Sequence, residues 1–171
     1  RIYQIAKNLG ELGCLVHLFI PESGNRSFKL KNVRVYPSVE LNDVEDYYPI
    51  DIPGARTLSK SLVTLIKRIG CYKSLDIVQS QHLSTAMQGL TLKKLLRRPA
   101  ILGEHNVETF VWYQINQIKK QRWKKLLLLE KFACKSVDHI FAQSSLDKHM
   151  IQMLFRIDPS KITVISNGVD T

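Results

Sequence analysis

The feature of this chain best suited to chemistry is a histidine that directly follows an apolar stretch and has carboxylates close by. His105 lies within Glu104-His105-Asn106-Val107-Glu108, immediately after Ala100-Ile101-Leu102-Gly103. Imidazole titrates nearest to neutrality, and adjacent carboxylates favour its protonated, donating form. Such a group can act on a phosphate or a hydroxyl. A second histidine, His82, follows Gln79-Ser80-Gln81 at the end of another apolar segment. It would face the same crevice if the two segments were neighbouring strands. Each has a plainer alternative: His105 as a loop or capping histidine, His82 as the polar start of a helix.

Other chemistries find no support. No G-x-G-x-x-G or G-x-x-x-x-G-K-[ST] run is present, so neither a dinucleotide fingerprint nor a phosphate loop is indicated. No G-x-S-x-G elbow marks a serine hydrolase. The three cysteines, Cys14, Cys71 and Cys134, are odd in number and far apart. They read as buried small hydrophobes in a reducing compartment rather than as a disulfide framework or zinc site. No metal-ligand spacing occurs, so no metal and no cofactor are expected.

These candidate groups need elements to hold them. Apolar residues recur at helical spacing over 2–12, where Gly10 and Gly13 close the pattern, and again over 56–70, 84–97, 109–136 and 145–155. Between them lie short apolar runs at 15–20, 33–36, 76–79, 100–103, 138–142 and 162–165, the second stopped by Pro37. Residues 38–55 read as an irregular surface excursion, and Ser144 as a helix N-cap. Strands alternating with helices give an α/β fold: a Rossmann-like, doubly wound parallel sheet covered on both faces. Ligands of such sheets bind where the strands end at their carboxyl side. The segments to search are therefore Gln79–His82, Glu104–Glu108, Gln143–Ser145 and Ser166–Asp170.

Four of these segments, in order, resemble the N-terminal domain of family 4 retaining glycosyltransferases. Asn8-Leu9-Gly10-Glu11-Leu12-Gly13-Cys14-Leu15-Val16-His17 is similar to the family's A-x-x-L-x-x-x-G-H-x-V, with Cys14 at the usual histidine. Asp76-Ile77-Val78-Gln79-Ser80-Gln81 resembles D-I-V-H-x-H, with Gln79 and Gln81 in place of both histidines. His105-Asn106-Val107-Glu108 looks like the H-N-[IV]-E variant of the family's H-D. Asp138-His139-Ile140-Phe141-Ala142-Gln143-Ser144 and Ile165-Ser166-Asn167-Gly168-Val169-Asp170 look like its last strands and the I-P-N-G-V-D segment, with Ser166 at the proline.

The resemblance implies one half of a GT-B fold lacking its first strand. Residues 1–165 would form the acceptor-side domain and 166–171 the start of a linker to a donor-binding domain, so the chain is expected to be incomplete at both ends and inactive alone. It implies transfer from a nucleotide-sugar donor, with retention, to a glycan, lipid-linked or polysaccharide-precursor acceptor of the cell envelope. His105 would then be the catalytic hydrogen-bond donor. Glu104, Asn106, Glu108, His82 and Gln81 would be substrate-binding residues, and Asn167 and Gly168 hinge residues. The alternatives are another GT-B enzyme, such as a UDP-sugar 2-epimerase, or a basic Rossmann-like module that binds nucleic acid.

The charge adds one expectation. The net charge is +10, and residues 119–125 hold five of the 25 basic side chains and no acid. A basic amphipathic helix with an aromatic can rest on an anionic membrane face. Lys119, Lys120, Arg122, Lys124 and Lys125 are the expected contacts, with Trp123 at headgroup level. The protein is expected to be cytoplasmic, peripheral on the inner membrane face, with no nucleic-acid partner.

Overall fold

The computed structural model describes residues 2–21, 29–38, 66–67, 70, 74–114 and 120–166, with the side chains of Pro21, Pro37, Ser38, Lys120 and Arg122 left aside. The excursion expected at 38–55, nearly all of the helix expected at 56–70, Cys71, Lys119, Asn167 and Gly168 lie outside these residues. The chain divides into two compact units, Arg1–Tyr47 and Tyr48–Thr171.

In the first unit, α1 (Ile2–Glu11) is followed by two parallel strands, β1 (Val16–Pro21) and β2 (Val33–Ser38), paired from Val16↔Val33 to Pro21↔Ser38. Helix α1 buries Ala6 and Gly10. A Cβ on Gly10 would collide with the Lys31 carbonyl oxygen, so glycine is what allows the helix this close to the turn before β2. Asn32, itself at φ 57°, closes that turn by donating from Nδ2 to the Gly10 carbonyl at 3.0 Å. Pro37 does not stop the second strand: β2 continues to Ser38, with Pro37 opposite Ile20. In a two-stranded sheet each strand has one edge whose N–H groups the ladder does not use, and proline is tolerated there. Cys14, expected to be buried, is exposed.

The second unit holds four parallel strands in the order β3-β4-β5-β6: β3 (Val78–Gln81), β4 (Ala100–Glu104), β5 (His139–Ala142) and β6 (Ile162–Val164). Helix α2 (Leu83–Leu96) joins the first two strands, α3 (Glu108–Gln114) and α4 (Lys120–Ser136) lie between β4 and β5, and α5 (Ser145–Phe155) precedes β6. The helical pattern expected at 109–136 is met by α3 and α4, between which residues 115–119 lie outside the described residues. Alternate strand residues form the core. Val78, Ala100, Leu102, Ile140, Ala142 and Ile162 are buried together with Leu83 and Ala86 of α2, Leu126 and Ala133 of α4, and Ile151 and Phe155 of α5. The other strand face carries Gln79, His139 and Thr163, with His139 Nε2 2.9 Å from Thr163 Oγ1.

Strand β3 begins at Val78, two residues later than the apolar run, and Ile77 is half exposed before it. Helix α5 begins as expected: the Asp147 N–H donates to Ser144 Oγ at 3.0 Å, and Ser144 Oγ donates to Asp147 Oδ2 at 2.6 Å.

Several cations of this unit are used within the fold. Lys93 Nζ donates to the last carbonyls of α4, at Ser136 (2.7 Å), and to Asp138 Oδ1 (2.8 Å). Lys161 caps the Lys135 carbonyl at 2.8 Å, and Lys148 the Ile162 carbonyl at 2.7 Å. Asp138 is a clasp between β4 and β5: its Oδ2 accepts from the Ala100 N–H at 2.7 Å while its own N–H donates to the Ala100 carbonyl at 2.8 Å. Partial burial opposes ionisation of Asp138, but the Lys93 ammonium and the Ala100 amide outweigh it and hold the carboxyl below the usual range.

Replacing Asp138 by Ala leaves the Ala100 N–H without its carboxylate. Urea unfolding at neutral pH should show a loss of about 1–3 kcal/mol. Because the native pKa is lowered, this contribution is present above the unfolded carboxyl pKa and fades as pH falls through the native value. The difference between wild type and D138A should therefore shrink below about pH 4.

Candidate functional site

Strands β3 and β4 are parallel neighbours, so the residues that follow them emerge side by side. The register sets Gln81 opposite Gly103. A Cβ on Gly103 would meet Gln81 Oε1 at 2.6 Å, so the bare glycine leaves the space that the Gln81 carboxamide occupies. Lying there, Gln81 Oε1 comes within 3.1 Å of His105 Nε2. The His82 N–H extends the pairing by one bond, donating to the Gly103 carbonyl at 2.8 Å.

His82 is the N-cap of α2 and has φ 72°, ψ 151°. That backbone region belongs almost exclusively to glycine and costs a side-chain-bearing residue about 1–3 kcal/mol. The ring is engaged on both nitrogens. Nδ1 accepts from the Ser84 N–H at 3.4 Å, and Nε2 lies 2.6 Å from Glu108 Oε1. With Nδ1 accepting and Nε2 facing a carboxylate, the neutral ring is the Nε2–H tautomer. His82 and His105 meet edge to face, with ring centroids 5.6 Å apart at 89°. The crevice expected from two neighbouring strand ends thus brings His82, Gln81 and His105 together, with Asn106 exposed on the turn beyond.

The carboxylates go elsewhere than the sequence suggests. Glu108 was expected beside His105 and open to substrate, but it is only 3% exposed and its Oε1 contacts His82. Glu104 is 1% exposed, so it has no surface to offer a ligand. The physical reason is alternation: Leu102 and Glu104 share the face of β4 that packs under the helices.

A third glutamate, Glu130 of α4, joins them and is fully buried. Its Oε1 accepts from the Glu108 N–H at 2.7 Å. Its Oε2 accepts from the Thr109 N–H at 2.8 Å and from the Thr109 hydroxyl. Nothing local in the sequence marks Glu130, because its partners are 21 and 22 residues away. Two turns earlier on α4, Trp123 adds a second hold, its indole N–H donating to the Thr109 carbonyl at 3.0 Å. The aromatic expected at the membrane surface is therefore half-buried and committed to the protein, with Tyr113 against it at 5.9 Å.

Both oxygens of Glu104 are buried with no hydrogen-bond partner among the described residues. Burial raises its pKa well above the ordinary value, and the neighbouring Glu130 and Glu108 carboxylates raise it further. Burial also pushes Glu130 up to about 7, against the lowering effect of the bonds from Thr109 and Glu108. Burial and the neighbouring carboxylates thus favour the neutral form of Glu104, while the three donors on Glu130 favour its ionised form. Cys134, also buried, has its thiol pKa raised by burial first and then by these two glutamates. Among the described residues no group of histidine, cysteine, aspartate or glutamate could hold a metal ion.

A raised carboxyl pKa stabilises the fold below the unfolded value, about 4.3, and that stabilisation is lost as pH climbs toward the native value. Glu104→Gln removes the titration while keeping the shape. The melting temperature of E104Q minus that of the wild type should therefore grow between pH 5 and pH 8. A flat difference would mean that Glu104 is not protonated in the folded state.

The parallel sheets with intervening helices are those of a Rossmann-like α/β domain, one half of a GT-B fold. A search of curated proteins returned no match for the chain. The family model described as Glycosyltransferase Family 4 matches residues 1–171, the whole of the chain. With the strand-end His105 of the H-N-V-E segment built into the cluster above, the chain belongs to Glycosyltransferase Family 4.

Proposed function

We propose that this glycosyltransferase domain forms the acceptor side of a retaining enzyme that uses a nucleotide-sugar donor, without a metal, to modify a lipid-linked or polysaccharide-precursor acceptor. The observation that carries the reading is the placement of His105: half-buried, at the carboxyl end of β4, with Gln81 at 3.1 Å and His82 edge-on. As the bond from the anomeric carbon to the donor phosphate breaks, negative charge grows on the departing phosphate; the acceptor hydroxyl oxygen bonds to that carbon and its proton passes to the departing phosphate. A protonated His105 is a hydrogen-bond donor for a site where charge develops, and it need not form a covalent bond. Gln81 sets the ring plane, and Asn106 is the exposed side chain of the same turn.

In the full-length enzyme His105→Ala should lower kcat/KM by about 10²–10³-fold, the usual loss for one donor aimed at developing charge. A change below threefold with unaltered thermal unfolding would make His105 a loop histidine.

We infer further that the enzyme works as a peripheral protein of the cytoplasmic membrane face. No helix among the described residues is long and apolar enough to cross a membrane, so contact would be superficial. Support comes from α4, where Lys124, Lys125 and Lys135 are exposed on either side of Leu128 and Phe132, which are 65% and 53% exposed. The leucine run is therefore not wholly inward: Leu126 is buried, but Leu128 faces out. Each Lys near an anionic surface is worth about 1 kcal/mol, screened by salt. The full-length protein should sediment with vesicles containing phosphatidylserine or phosphatidylglycerol, less so at 0.5 M salt, and not with neutral phosphatidylcholine vesicles. Reversing Lys119, Lys120, Lys124 and Lys125 to Glu should abolish binding. Equal binding to neutral and anionic vesicles would remove the claim.

A further inference from the structure

Helix α3 starts in an unusual way. The first N–H groups of a helix ordinarily find an acceptor on a residue just before it, most often Ser, Thr, Asp or Asn. Here the preceding residues are Asn106 and Val107, and the acceptor is a carboxylate from the middle of another helix. A local cap would satisfy the same N–H groups without placing an ionised side chain in the core, where it is costly unless fully hydrogen-bonded. Helix stability by itself therefore does not explain Glu130.

The consequence of the arrangement lies one residue further on. By fixing the Glu108 and Thr109 N–H groups, Glu130 fixes where the Glu108 side chain leaves the backbone. The Glu108 carboxylate then reaches His82 Nε2 at 2.6 Å. His82 is held by that contact in a backbone conformation it would otherwise avoid, and its ring stands against His105. A chain of direct contacts runs from the centre of α4 to the strand-end histidines: Glu130, Glu108, His82, His105. Trp123, two turns before Glu130 on α4, holds the Thr109 carbonyl and keeps the same turn from rotating.

We propose that Glu130 is a positioning residue of the transfer site, setting the His82 ring, and through it the surroundings of His105, by holding the start of α3 in place of a local cap. The proposal rests on the reading of His105 as the group that assists transfer.

Glu130→Gln is the test. It keeps the volume but turns one acceptor oxygen into an amide that meets an N–H head-on. In the full-length enzyme, with histidines labelled with nitrogen-15, ring spectra report the tautomer of each imidazole. His82 should change from a single Nε2–H tautomer to a mixture in E130Q. His139, which bonds Thr163 on the other face of the sheet, should keep its signals and so certify the fold. With a nucleotide-sugar substrate, kcat should fall about 10²-fold, the cost of a small misplacement at a reacting centre, with KM nearly unchanged. An unaltered His82 spectrum in folded E130Q overturns the proposal. A displaced His82 with unchanged kcat leaves the positioning in place and overturns the reading of the site. If E130Q does not fold, Thr109→Val carries the same test by removing one of the three donors. His82 should shift in T109V and return in Thr109→Ser, and no shift in T109V overturns the proposal.

Discussion

Parallel pairing of β3 with β4 is the constraint on which the rest of the second unit depends. Two adjacent strands running the same way must deliver their following residues to the same edge of the sheet. Here that edge receives Gln81 and His82 from one strand and His105 from the other. The register refines the result to single atoms. Gly103 faces Gln81, so a carboxamide can lie flat across the neighbouring strand and touch the histidine beyond it.

Electrostatics beneath this edge turn on how its buried carboxyl groups are met. Three glutamates, at 104, 108 and 130, are buried there, and Glu108 Oε1 lies against the His82 ring. Buried carboxyl groups must be neutralised or met by donors. Glu104 takes the first course and Glu130 the second. Lysines of this unit are employed on backbone carbonyls, those of Ser136 and Lys135 at the end of α4 and that of Ile162 at the start of β6. The excess positive charge of the chain is thus partly structural, and the exposed remainder includes Lys124, Lys125 and Lys135 on α4.

Much of this was legible in the sequence for a plain reason: the elements are short and local signals bound them. The apolar runs at 100–103 and 138–142 return as β4 and β5 within a residue at either end. Ser144 caps α5 because a hydroxyl three residues before Asp147 can reach its N–H. His105 falls at a strand's carboxyl end, where the alternation of strands and helices puts it. The misses have equally local causes. Pro37 removes one N–H but not a strand whose edge does not need it. Strand β3 starts at Val78 rather than at Asp76, leaving Ile77 half exposed before it.

What the amino-acid order determined, then, is the alternation of elements, their family and the edge at which chemistry should lie, because these follow from periodicity and from contacts within a few residues. The partners of the charged groups were decided by tertiary structure alone. Glu108 is three residues from His105 yet lies against His82, 26 residues away in the chain, and Glu130 caps a helix that begins 22 residues earlier. Proximity along a chain does not fix which way a side chain points at the end of a strand. That direction depends on the alternation of its faces and on which helix packs over it. The strained backbone of His82 likewise has no signature in its neighbours, since the contact with Glu108 that accompanies it exists only once the domain has folded.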